Sequence, residues 1–337
     1  MSNSDISAVI LAAGKGTRMK SSRAKVLHEV FFKPMLHHVL ETVTATKIER
    51  TAVIIGHQRH QVEDSLNGYS FTPVVQEEQL GTGHAVLCAE TACGGADQVM
   101  ILCGDTPLIR PQTLRAMIDR HQEKNAALTL MTTLLENPFG YGRIISHDDG
   151  HILKIVEQKD ADEAQRALRE INAGLYLADA DFLFNALRQV GTDNSQGEVY
   201  LTDIVSIAVK KGHKVEKFIH SPAIDVLGVN SKVELAQAHA ELQLRRNREL
   251  MLSGVTMYLP ETILVAPDVV IGQDTTIQAG VRISGQANIG AGSLLETGAI
   301  LHNCRIGEQA VIGAHSVLRN CVIEDNAQVA PLSCRVD

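Results

Sequence analysis

Between residues 5 and 228, short apolar runs alternate with stretches whose apolar positions recur at helical spacing. The runs at 8–11, 51–55, 73–76, 98–102 and 127–132 predict strands. The stretches at 35–44, 61–66, 83–90 and 111–123 predict helices. Strand–helix alternation of this kind predicts an α/β fold, a Rossmann-like, doubly wound and mostly parallel sheet. Residues 231–253 are rich in Ala, Leu, Glu, Gln and Arg, contain no Gly or Pro, and stop before Gly254. They predict one long linker helix.

The period then changes. Aliphatic residues fall every six positions at Val265, Ile271, Ile277, Ile283, Ile289, Leu295 and Leu301. After a step of five they resume at Ile306, Ile312 and Leu318, and after another at Ile323 and Val329. Small residues recur four places later (Thr275, Ala287, Ser293, Ala299, Ala310), and Gly272, Gly290, Gly307 and Gly313 follow the aliphatic residue. A sustained six-residue period predicts a parallel β-helix, left-handed in the short hexapeptide form, with one aliphatic residue per face stacked into a continuous core. The expected domains are 1–230, the helix 231–253, and a short or truncated solenoid 254–337. The solenoid pattern lacks a terminal cap, so truncation or cover by another chain or element is expected. The pattern is similar to that of hexapeptide solenoids that pack side by side as trimers, and that likeness implies a homotrimer here.

The composition narrows the class. With 337 residues, 45% hydrophobic and 21% charged, the chain reads as a soluble globular protein of one large or two ordinary domains, each with a real core. A net charge of −8 argues against a general nucleic-acid binder, so phosphate recognition must be local. Six cysteines (Cys88, Cys93, Cys103, Cys304, Cys321, Cys334) form neither a CxxC pair nor a zinc spacing, which predicts reduced thiols. No basic, apolar leader and no run of membrane-spanning length is visible. The expected compartment is the cytoplasm, with no membrane partner.

The chemistry begins at Leu11-Ala12-Ala13-Gly14-Lys15-Gly16-Thr17-Arg18-Met19, directly after the first strand, with Lys25 close behind. Small residues and glycines there expose backbone N–H groups to a ligand, and Arg18 and Lys25 add positive charge. The loop is no Walker A sequence, because Gly16 follows Lys15 where Ser or Thr is needed. It is no dinucleotide fingerprint either, because Met19 stands at the third glycine. A nucleotide-triphosphate loop fits, and so does a glycine-rich turn with incidental basic residues.

Downstream, Gln76 and the backbone at Gly81 could read a base edge; a plain helix start capped by Thr82, with His84 on the helix surface, is the alternative. Cys103-Gly104-Asp105 places a carboxylate at a strand tip, where it could hold Mg2+ or cap the turn before Pro107. Gly140, Glu157, Asn172 and Asn230 supply the glycine turn, carboxylate and amides that a sugar's hydroxyls need, although such residues also form ordinary turns. None of the fourteen histidines has metal-ligand spacing, and none is assigned to catalysis.

Taken together these segments resemble the bacterial bifunctional N-acetylglucosamine-1-phosphate uridyltransferase/glucosamine-1-phosphate acetyltransferase family, GlmU. The matching segments, in family order, are LAAGKGTRM (11–19), KVLH (25–28), QLGTGHA (79–85), GDTPL (104–108), GYGRI (140–144), IVEQKDA (155–161), EINAG (170–174), GEVYLTDI (197–204) and GVNSKVEL (228–235). The resemblance implies Mg2+-dependent transfer of uridylyl from UTP to N-acetylglucosamine 1-phosphate, for cell-wall and lipopolysaccharide precursors. It implies that Leu11, Ala12, Ala13 and Gly14 hold the nucleotide, with Gln76, Gly81 and Thr82 at uracil and ribose. Arg18 and Lys25 would bind phosphates, Cys103, Gly104 and Asp105 would line the substrate, and Asp105 and Asn230 would hold Mg2+. Gly140, Glu157 and Asn172 would bind the acetylated sugar.

Two departures stand out. Cys103 occupies a position where relatives often carry Tyr. The His, Lys, Arg and Tyr residues that the family uses for acetyl transfer have no counterpart in these 337 residues, so that activity is expected to be absent. The rival readings are a nucleotidyltransferase for another base or sugar, and a non-catalytic sugar-nucleotide-binding scaffold.

Overall fold

The computed structural model describes residues 5–336, and the chain divides into two compact units. One comprises the chain through Glu29 together with Lys33–Leu235. The other comprises Val30–Phe32 and the chain from Ala236 onward.

The first unit is built on a nine-stranded sheet. Its strands are β1 (Ile6–Leu11), β2 (Arg50–Ile55), β3 (Thr72–Val75), β4 (Gln98–Cys103), β5 (Leu128–Leu134), β6 (Arg143–Ser146), β7 (Ile152–Val156), β8 (Glu170–Asp179) and β9 (Val215–Ile219). They lie in the order β9-β5-β8-β4-β1-β2-β3, with β6 joined to both β8 and β7. The half around β1 is parallel, as the alternation predicts. β8 runs antiparallel to β4, β5 and β6, so the sheet as a whole is mixed.

Alternating side chains of the central strands feed two cores. Val9, Ile54 and Ile101 pack with Ala85, Val86, Ile204 and Val205 on one face. Ala8, Ile10, Val53, Ile55 and Leu102 pack with Leu36, Val39, Leu114 and Met117 on the other. Burial on both faces is why these strands read as unbroken apolar runs. From β1 the chain passes to β2 on one side and later to β4 on the other. That reversal of direction opens a crevice at the carboxyl ends of the central strands.

In the second unit three parallel sheets stack around one apolar core. The aliphatic positions of the six-residue period form that core, from Val265 through Leu318 to Val329. Ile283 pairs with Leu301, but Ile289 pairs with Ile306 and Ile306 with Ile323. Each five-residue step therefore shortens a coil by one residue while the stack stays in register. This is the architecture of the left-handed β-helix. The corners take left-handed backbone, at Gly280, Gly292 and Gly298 but also at Gln309, His315 and Leu332.

The helix Lys232–Leu252 enters this unit with Asn247, which is fully buried. Its amide donates to the carbonyls of Pro260 (2.7 Å) and Ile263 (2.8 Å), backbone acceptors that burial would otherwise leave unpaired.

Candidate active site

Backbone hydrogen bonds draw the strand ends of the crevice together. Ala12 N–H donates to Ile54 O (2.9 Å), Gly104 N–H to Leu11 O (2.9 Å) and Gln76 N–H to Ile55 O (2.8 Å). The loops after β1, β3 and β4 thus open onto one cavity of about 440 Å3. Leu11, Ala12, Ala13, Gly14, Lys25, Gln76, Gly81, Thr82, Cys103 and Asp105 line it, all expected from the sequence. Gly14 has open space where a Cβ would stand, so a ligand can reach its backbone. Gly16 has φ +57°, and a Cβ there would come within 2.5 Å of the Lys25 Cβ. Only glycine lets the loop fold over the Lys25 stem.

At the cavity mouth the charged groups share partners. The Lys25 ammonium is ion-paired with Asp105 Oδ2 and donates to Asn230 Oδ1 at 2.7 Å. Arg18 donates to the same Asn230 oxygen at 2.7 Å. The Asn230 amide nitrogen donates to Gly228 O (2.9 Å), which turns Oδ1 toward the two cations. Val229 N–H donates to Asp105 O (2.8 Å), tying this segment to the Asp105 loop. The side chains of Lys25 and Asp105 are only 15% and 18% exposed, so their charges act with little screening.

Asp105 and Asn230 fit a divalent cation. Both offer hard oxygens to one point, and the Lys25 ammonium stands at that point as a cation between them. No group of three or more His, Cys, Asp or Glu gathers as a metal cage among the described residues. A metal held here would therefore complete its shell with substrate oxygens and water.

Gly140, Glu157 and Asn172 are not among the residues that line the cavity; Asn172 lies on β8. Asn172 pairs with Thr132 and Tyr176 with Leu130, so a bulge separates them, with Gly174 at φ +79°. Asn172 holds the bulge: Oδ1 accepts Gly174 N–H (3.0 Å) and Nδ2 donates to Tyr176 OH (2.6 Å). The bulge places Gly174 O at 3.6 Å from Cys103 Sγ. Burial, with the Asp105 charge nearby, pushes the Cys103 thiol up to about 12, so it lines the site as an unreactive S–H.

Glu157 accepts from Thr202 Oγ1 at 3.2 Å, and burial raises its pKa despite that bond. Gly140 has φ +88° and faces Arg18 across 4.0 Å from where its Cβ would be. Its N–H donates to Gln158 Oε1 (3.0 Å), and Arg143, fully buried, donates to the same oxygen (2.8 Å).

Several residues at the site carried no assigned role in the sequence. Lys15, Gln79 and Glu198 line the cavity. Thr202, Arg143 and Gln158 hold Glu157 and Gly140 in place. Glu198 and Thr202 lie within the matching segment 197–204, but nothing local marks them; backbone bonds join Leu80 and Gly83 to Val199 in the folded chain. The plain helix start expected at Thr82 also differs. Gly81 (φ +111°) takes the cap position, and Thr82 Oγ1 accepts Leu201 N–H at 3.1 Å. His84 turns its ring toward Gln76 and away from a free helix surface.

The profile of the nucleotidyl transferase family matches residues 7–240. A protein named bifunctional protein GlmU from Desulfotalea psychrophila is 54% identical over 299 residues, covering 88% of each chain. The one from Geobacter metallireducens is 48% identical over 88% of this chain, which spans 63% of that protein's length. The one from Pelobacter propionicus is 43% identical over 98% of this chain and 72% of its own. A crystal structure of a candidate glucose-1-phosphate thymidylyltransferase from Bacillus anthracis superposes with TM-score 0.58 at 21% identity, over 70% of this chain and 94% of that one. That likeness shows the fold. The fold and the loops at its crevice are those of a nucleotidyltransferase. The chain belongs to the GlmU family.

Proposed function

We propose that this chain transfers the uridylyl group of UTP to N-acetylglucosamine 1-phosphate, releasing pyrophosphate, with Mg2+ as cofactor. The observation that carries the reading is the convergence of Arg18, Lys25, Asp105 and Asn230 at the mouth of the cavity floored by residues 11–14. The base lies toward Gln76, Gly81 and Thr82, and the sugar toward Gly140, Glu157 and Asn172.

In this reading a phosphate oxygen of the sugar 1-phosphate attacks the α-phosphorus of UTP in line. The bond from that phosphorus to the oxygen bridging it to the β-phosphorus breaks, and pyrophosphate leaves with that oxygen and the electron pair, while the attacking oxygen becomes the new bridge. The attacking phosphate is already ionised, so no side-chain nucleophile is required. Lys25 and Arg18 neutralise charge that builds on the phosphates, and the loop N–H groups orient them. Asp105 and Asn230 would hold Mg2+, which would supply further positive charge to the phosphates. The substrates place the reaction in the cytoplasm.

A pyrophosphate-release panel of four NTPs against several hexose 1-phosphates tests the substrate assignment. UTP with N-acetylglucosamine 1-phosphate gives the highest kcat/KM, EDTA abolishes turnover and Mg2+ restores it; a preference for dTTP or ATP would replace the reading. These 337 residues are expected to give no thiol release from acetyl-CoA with glucosamine 1-phosphate, and turnover in that assay would overturn the expectation. The homotrimer remains part of the proposal: Val270 and Val322 stand exposed on one face of the solenoid, and a sedimentation mass of one chain would exclude it.

Glu157→Gln separates binding from folding. The amide keeps an oxygen for the Thr202 hydroxyl but loses the charge a sugar hydroxyl would donate to, so KM for the sugar phosphate rises about tenfold. Burial raises the Glu157 pKa, so its ionised form costs stability above that pKa. The variant therefore melts higher than the parent at neutral pH, by about 2 °C. The gap closes as pH falls through the raised pKa toward the ordinary carboxylate range, where both states are protonated. Thermal melts of the two proteins from pH 4 to pH 8 read this directly; a gap that widened on acidification would contradict it.

A further inference from the structure

Gln76 is 3% exposed as a residue, and the surroundings of its side chain decide which end of the amide a ligand meets. Nε2 lies 3.1 Å from Gly81 O and 3.1 Å from His84 Nδ1. A backbone carbonyl only accepts, so the amide nitrogen must be the end that faces Gly81. The second N–H then points at His84, and Nδ1 must accept it. That requires the neutral imidazole with its hydrogen on Nε2. Nε2 in turn lies 3.8 Å from Cys88 Sγ, one helical turn on, and burial keeps that thiol protonated. Gly81 is itself fixed: a Cβ there would stand 2.5 Å from Val199 O, and φ is +111°.

With both amide hydrogens engaged, only Oε1 is left to offer a ligand in the cavity that Gln76 lines. An oxygen accepts and cannot donate. It suits the N3–H of uracil and opposes the N3 lone pair of cytosine.

We infer that His84 is a positioning residue that sets the base preference of the site, by locking the Gln76 amide with its oxygen toward the base. The inference rests on the reading of Gln76 as the residue that faces the base. His84 touches no reacting group; it acts through Gln76. Without an acceptor at Nδ1, only Gly81 O holds the amide. A flip then loses one hydrogen bond and gains one to cytosine N3. Thymine presents the same N3–H as uracil, so dTTP is the internal control.

The test measures dissociation constants for UTP, CTP and dTTP by calorimetry, without sugar phosphate, on the full chain and its variants. In His84→Leu the preference for UTP over CTP falls about tenfold, while the UTP-to-dTTP ratio stays as in the parent. His84→Asn, whose amide oxygen can stand near the place of Nδ1, keeps the parent preference. If His84→Leu does not fold, His84→Phe keeps the ring volume without an acceptor and makes the same test. A loss of affinity equal for all three nucleotides, or an unchanged UTP-to-CTP ratio, overturns the lock. Gln76→Leu tells the two readings apart. If it leaves the UTP-to-CTP ratio unchanged, Gln76 does not face the base and the lock falls with it. If it shifts the ratio and the His84 variants do not, only the lock is wrong.

Discussion

Asp105→Asn lowers kcat/KM for pyrophosphate formation by about a thousandfold, the scale on which one buried electrostatic stabiliser acts. The substitution keeps the shape of the side chain and an oxygen that can accept from Lys25. It removes the negative charge that pairs with the Lys25 ammonium. A divalent cation then has two amide oxygens in place of a carboxylate and an amide, so the Mg2+ concentration for half-maximal rate rises by at least about tenfold. Folding is affected little, because the side chain sits at a strand tip in contact with the cavity. Initial rates against Mg2+, with a thermal melt of the same sample, check both parts. A variant that retained more than about a tenth of parental kcat/KM would remove Asp105 from the proposed metal site.

Lys25→Met is the second large effect, with kcat lowered about a hundredfold or more. Met preserves most of the stem volume beneath Gly16 but takes away the ammonium that bridges Asp105 and Asn230. Two consequences follow from the shared partners. The Asp105 carboxylate loses its counter-charge, and the phosphates lose one of two cations, leaving Arg18. KM for UTP rises with the fall in kcat, since the lost charge acts on the bound triphosphate and on the developing charge alike. Steady-state kinetics with UTP varied at saturating sugar phosphate separate the two. A rise in KM with kcat unchanged would mean that Lys25 only binds substrate.

Much of this arrangement was legible because the relevant signals are local. One aliphatic residue per face, repeated every six positions, left the solenoid no other period to adopt. The loops carrying Gly14, Gln76 and Asp105 each follow an apolar run, and a doubly wound sheet gathers the carboxyl ends of such strands. The antiparallel section was not legible. β8 breaks its own alternation at the bulge around Gly174, and β9 is half-exposed along most of its length. The solenoid corners at Gln309, His315 and Leu332 were hidden because side chains other than glycine occupy left-handed positions there. Residues that hold other residues were hardest to find. Thr202 reaches Glu157 from another part of the chain, and the charge of Arg143 faces only carbonyl and amide oxygens in its hydrogen bonds. His84 lay in a matching segment, but only the folded turn at Gly81 brings its ring to Gln76.

Direct transfer between UTP and N-acetylglucosamine 1-phosphate in one cavity is tested by product analysis with Mg2+ and both substrates, using sugar phosphate labelled with 18O in its phosphate oxygens. The expected result is equal amounts of pyrophosphate and UDP-N-acetylglucosamine, with label retained in the bridge between the two phosphorus atoms and none in pyrophosphate. Label in pyrophosphate, or pyrophosphate released without the sugar nucleotide, would contradict it.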